Sequence, residues 1–198
     1  MKKIFIILLL ITCYYFKINA GEISETGLRV GYNISKFIGN DIPGKSVKNI
    51  PGFTLGGSVT YKINEKFSFQ SEILLATKGS FINTIGDIEQ ANIFVYIEMP
   101  LLAKMKFLPE AKINPFIFCG PALNMNALAM NSVGVLDSIN GFDLGLIIGS
   151  GLSYRRISFD IRYDRGLIDF DNSADDIDLK NQTISFLLGI AFYASGGN

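Results

Sequence analysis

The feature that most constrains this chain is a strict alternation of apolar and polar residues, repeated along nearly its whole length. Leu28, Val30, Tyr32 and Ile34 alternate with Arg29, Gly31, Asn33 and Ser35, and Phe53, Leu55, Gly57, Val59, Tyr61 and Ile63 with Thr54, Gly56, Ser58, Thr60 and Lys62. Phe67, Phe69, Ile73 and Leu75 oppose Ser68, Gln70, Glu72 and Lys78. Ile93, Val95, Ile97, Met99, Leu101, Ala103, Met105 and Phe107 oppose a face holding Glu98, Lys104 and Lys106. Three later runs behave alike, at 142–154, 157–164 and 183–192, the last placing Phe186, Leu188, Ile190 and Phe192 on one face of a closing strand. A run at 113–125 is apolar on both faces and its register stays open. Side chains point to opposite faces of a strand, so a period of two means a sheet with one apolar face.

A soluble sandwich or a lipocalin-like carrier also alternates, and the connections distinguish them. Those at 38–51, 79–92, 126–141 and 169–181 are long, and those at 64–66, 108–112 and 155–156 are short. Strands of this length suit a tilted membrane crossing, which needs about 9–11 residues. Aromatic residues at Tyr61, Phe67, Phe107, Tyr154 and Phe192 gather toward one end, as in an interfacial girdle. The expectation is an all-β fold, an eight-stranded antiparallel up-and-down transmembrane β-barrel, with short periplasmic turns and long outer loops. The mean hydropathy is positive although 18% of residues are charged, and no segment after the N-terminus is a candidate membrane helix.

The N-terminus fits that destination. Lys2 and Lys3 precede an apolar run, and Ile18-Asn19-Ala20 closes it with a small residue. This is the order of a secretory signal peptide, so residues 1–20 are expected to be removed and 21–198 to form one barrel domain. The run stops before Lys17, too short for a spanning helix, and Leu10-Ile11-Thr12 lacks the small residue that would precede a lipidated Cys13. Cleavage would remove three lysines and no acid, leaving 15 basic against 18 acidic residues. That balance argues against nucleic acid as a partner. Cys119 would be the sole remaining cysteine, so no intrachain disulfide forms.

The residues then resemble a known family, the PorT-type outer-membrane β-barrel domain of the "porin family" label. The resemblance rests on Tyr96-Ile97-Glu98-Met99-Pro100-Leu101-Leu102-Ala103-Lys104, Asn114-Pro115-Phe116-Ile117-Phe118-Cys119-Gly120-Pro121, Phe142-Asp143-Leu144-Gly145 and Arg162-Tyr163-Asp164-Arg165-Gly166-Leu167. It implies a barrel in the outer membrane of a Gram-negative-type envelope, and it carries no catalytic residues.

An eight-stranded barrel has an interior only wide enough to be filled by side chains. Arg29, Lys62, Lys78, Lys104, Lys106 and Arg162 face inward with Glu72, Glu98, Asp143, Asp160 and Asp164. Those signs nearly balance, and buried charges require partners. Glu72, Glu98, Lys104, Asp160 and Arg162 are therefore expected to contact one another as a salt-bridged plug. Inward glycines such as Gly145, Gly149 and Gly151 leave room for larger side chains opposite. There is no histidine, which excludes Ser-His hydrolases and acyltransferases, and no nucleophile elbow or phosphate-binding loop. The acidic stretch from Asp169 to Asp178 lacks the EF-hand pattern, with Ala174 in the glycine position and Lys180 in the final acidic position. The expectation is a non-enzymatic structural or interaction barrel without a cofactor. Its partners would be outer-membrane lipid, the outer-membrane assembly machinery and an unidentified envelope protein. A small-solute channel is the alternative, and a soluble lipocalin-like carrier a more distant one.

Overall fold

The computed structural model describes residues 22–39, 47–84, 88–131, 134–135, 142–167 and 179–194. The expected signal peptide and the acidic stretch 169–178 lie outside the described residues. Eight long strands make the wall: β1 (Ile23–Gly39), β2 (Val47–Lys62), β3 (Phe67–Thr84), β4 (Ile88–Lys106), β5 (Ile113–Asn131), β7 (Phe142–Tyr154), β8 (Ile157–Gly166) and β9 (Leu179–Ala194). A two-residue strand, β6 (Gly134–Val135), adds only to the far end of β5, against Met130 and Asn131. Each wall strand pairs antiparallel with the next, β9 returns to β1, and β4 pairs with β5, so the barrel is closed.

The register fixes the geometry of closure. From Ile97 the pairing runs through Leu75, Leu55, Val30, Leu188, Phe159 and Leu152 to Pro115. The Pro115 carbonyl accepts from the Phe107 amide, so the path re-enters β4 ten residues below its start. A stagger of this size forces the strands to tilt by roughly 35–45° to the barrel axis.

The alternation turns the ordinary inside-out rule of soluble proteins around. In β3, Ile73 is 64% exposed on the outer wall, while its neighbours Glu72 and Leu74 are 1% and 2% exposed within. Leu28, Phe53, Leu101, Leu146, Ile161 and Leu188 continue the exposed apolar wall, which only lipid can cover without cost. Phe67, Phe107, Tyr154 and Phe192 are exposed beside the short turns. The outward rows become polar at Lys36, Thr77, Arg165 and Gln182, which marks the other edge of the apolar band.

The strands run further than the alternation indicated. Much of the connections assigned to 38–51 and 79–92 is strand, since β1 continues to Gly39, β2 starts at Val47, and β3 pairs with β4 to Thr84 and Ile88. β5 likewise continues to Asn131. Above the apolar band both faces of a strand meet polar surroundings, so the period of two fades although the ladder persists. β5 also acquires a register. Phe116, Phe118, Ala122 and Asn124 are buried inside, and Ile113, Ile117, Cys119 and Pro121 are exposed on the outer wall.

Candidate functional site: the barrel interior

Two chemically distinct halves of the wall meet inside the barrel. On β4, β5 and β7, Leu102, Phe116, Phe118, Ala122 and Ile147 form an apolar cluster. The two phenylalanines fit because their partners across the ladder are Gly151 and Gly149. A Cβ on Gly149 would stand 2.3 Å from Phe118 Cζ, and one on Gly151 2.6 Å from Phe116 Cζ. The rings fill the volume that two absent side chains leave.

The other half, built from β1, β3 and β8, carries a network of four charges. Arg162 donates to Glu72 through Nη1 at 2.7 Å and to Asp160 Oδ1 through Nε at 3.0 Å and Nη2 at 2.9 Å. Arg29 donates from Nη1 to Asp160 Oδ2 at 2.8 Å, and its Nε lies 3.4 Å from Glu72 Oε1. Gln70 adds an amide donor to Glu72 at 2.6 Å. All four charged side chains are almost fully buried, and two positive charges meet two negative ones. Each carboxylate is therefore held by both guanidiniums, the geometry in which a buried network recovers most of its desolvation cost. The Arg162 guanidinium also sits 5.2 Å from the centre of the Phe118 ring, so the charged and aromatic halves touch.

Of the five residues assigned to a shared plug, the structure brings Glu72, Asp160 and Arg162 together, joined by Arg29. Glu98 does not reach them. It belongs to a second cluster nearer the outer end, where Lys78 bridges Glu98 and Asp164. Lys104 departs from the expected contacts altogether, since it reaches no carboxylate among the described residues. Its Nζ is 3.4 Å from Gln70 Oε1 and 3.9 Å from the centre of the Phe116 ring. The reason is height: Lys104 lies close to the turn after β4, below the level of Glu72, and the aromatic face takes the place of a counter-ion. Lys62 and Lys106, also assigned to the inner face, stand at the rim, paired with Glu65 at 2.7 Å and Glu25 at 3.2 Å. Alternation places Arg29, Lys78 and Asp164 on the inner face but cannot show which charges share a level.

At the turn end a recess of about 30 Å³ lies among Glu25, Arg29, Ser58, Thr60, Gln70 and Ser158. That is room for a water or two. Toward the other end Asn124 pairs across the ladder with Glu98 on one side and Asp143 on the other. It is 2% exposed and its carbonyl oxygen has no hydrogen-bond partner.

The family model for the outer membrane protein beta-barrel domain matches residues 22–172. The chain belongs to this family. Its barrel is similar to Neisserial surface protein A, with a TM-score of 0.53 and 16% identity over 86% of this chain and 99% of that one. Ail, the attachment invasion locus protein of Yersinia pestis, solved with the heparin analogue sucrose octasulfate, matches with a TM-score of 0.47 and 17% identity over 86% and 100%. The outer membrane enzyme PagL matches with a TM-score of 0.42 and 15% identity over 80% and 98%. At these identities the likeness is one of fold. No curated protein matches the chain. The closed eight-strand antiparallel barrel and its family locate the protein in the outer membrane.

Proposed function

We propose that the protein is a non-enzymatic, PorT-type outer-membrane barrel whose interior is closed by its own side chains and whose outer strand ends serve a structural or interaction role. The observation that carries this reading is the neutral network of Arg29, Glu72, Asp160 and Arg162 packed against Phe118. An ion crossing the lumen at that level would have to displace paired, buried charges, which is costly in a low-dielectric interior. The absence of histidine supports a role without Ser-His chemistry. On this reading the partners are lipid around the exposed apolar wall, the assembly machinery during insertion, and an envelope protein at the outer strand ends. Residues 1–20 would be a signal peptide removed on export.

Conductance separates this from a small-solute channel. Protein reconstituted into a planar bilayer should give no sustained, ion-selective current. Long-lived conductance steps whose selectivity changes in Arg162→Ala would replace the closed barrel with a channel.

A further inference from the structure

The geometry points to a binding site for a small, hard cation in the outer half of the lumen, formed by Asp164, Asp143 and Asn124 over the paired glycines Gly145 and Gly166. This site is separate from the charge network that closes the barrel.

Three observations converge on it. The first is charge. Among the described residues Lys78 is the one cation bridging Glu98 and Asp164, so this trio carries one negative charge more than its positive charge, whereas the Arg29, Glu72, Asp160 and Arg162 network is neutral. An uncompensated carboxylate in a buried setting calls for a counter-ion. The second is the set of oxygens left over. Asp164 engages Lys78 through Oδ2, and its Oδ1 has no hydrogen-bond partner. Asn124, almost wholly buried, likewise leaves its Oδ1 without one. A carbonyl oxygen withdrawn from water in this way bears its full desolvation cost unless something ligates it.

The third observation is space. Gly145 and Gly166 face each other across the β7–β8 ladder. A Cβ on Gly145 would lie 2.6 Å from Asp164 Oδ1 and 3.2 Å from Asn124 Nδ2, and one on Gly166 would lie 2.9 Å from Asp143 Oδ2. Two carboxylates and an amide therefore converge on the gap over two missing side chains. As the side chain stands the Asn124 amide nitrogen faces this gap, and a half-turn of the amide exchanges it for the unpartnered oxygen, which the cation would require. Carboxylate and amide oxygens are the ligands that hard cations take. Among the described residues no group of three acidic, cysteine or histidine side chains could hold a metal ion, so the amide is an essential part of the set.

The test uses the full barrel, purified in a non-ionic detergent and stripped with a chelator. Its thermal unfolding midpoint is followed by gel mobility in calcium chloride, sodium chloride and choline chloride at matched ionic strength. Calcium or sodium should raise the midpoint saturably over choline, by about 5–10 °C at a hundredfold excess over the dissociation constant. Asp164→Asn, Asn124→Ala and Gly145→Ala should each abolish that rise. Identical midpoints for the wild type in all three salts would overturn the site, and this result does not depend on any variant folding. A response that persists in Asn124→Ala and Asp164→Asn would also overturn it, because the cation would then sit elsewhere. So would a midpoint that follows pH but not cation identity, since a proton would then balance the charge.

Discussion

Replacing Arg162 with Met is the sharpest test of whether the interior charges are a closed network. In the wild type, Arg162 binds Glu72 and Asp160 together, and Arg29 binds the same two carboxylates from the other side. Removing one guanidinium leaves Arg29 between two carboxylates, and a neutral group becomes one with a net negative charge. Breaking a buried pair in this way costs about 3–5 kcal/mol. For a domain of this size a loss of 1 kcal/mol lowers the midpoint by roughly 2–4 °C, so the expected fall is about 6–20 °C. The double variant Glu72→Gln/Arg162→Met keeps Arg29 on Asp160 at 2.8 Å and restores neutrality. It should return to within about 1 kcal/mol of the wild type, because uncharged residues of similar volume replace a buried pair with little loss. Urea unfolding in lipid vesicles, read by heat-modifiable gel mobility, measures both variants. A single variant that loses less than about 1 kcal/mol would mean that these charges are hydrated like surface pairs, and the closed lumen would fail with it. A double variant no more stable than the single one would refute the charge-balance argument by itself.

Two further outcomes concern the outer wall. Phe192→Asp puts a charge on the lipid face beside the turn end, where the direct cost is only about 0–1 kcal/mol. A marked loss of protein from the outer membrane would therefore report recognition of the closing strand during insertion, and normal levels would show that this strand is not what the machinery reads. Cys119 is exposed on the outer face of β5, within the apolar band. A fluorophore attached there should be quenched by lipid-soluble and not by aqueous quenchers, and the opposite result would place that face against water.

The alternation in the sequence carried the fold because a lipid-facing strand has one apolar side wherever it crosses the bilayer. It was silent in β5, where Phe116 and Phe118 are apolar because they fill the lumen and Ile117 because it faces lipid. It also faded at 38–51 and 79–92, where the strands continue beyond the apolar band and neither face needs to be apolar. For the interior, parity gave the direction of each side chain but not its height. Height depends on the ten-residue stagger, which brings Arg29, Glu72, Asp160 and Arg162 to one level, leaves Lys104 below and sends Glu98 to Lys78. A stagger belongs to the closed barrel and is written in no single strand. The rings of Phe116 and Phe118 opposite Gly151 and Gly149 were half-legible, because inward glycines announce that something large stands across from them.

The network also bears on the order in which the barrel is completed. Arg29 lies on the first strand and Asp160 on the seventh of the eight wall strands, so in a sheet not yet joined at β1 and β9 they stand near opposite edges. Their contact forms only when those edges meet. Until then Asp160 has Arg162 of its own strand and Arg29 has Glu72 of β3, so the network is only half made. Joining β1 to β9 therefore completes the charge network, and the Arg29–Asp160 pair is the contact that reaches across that seam.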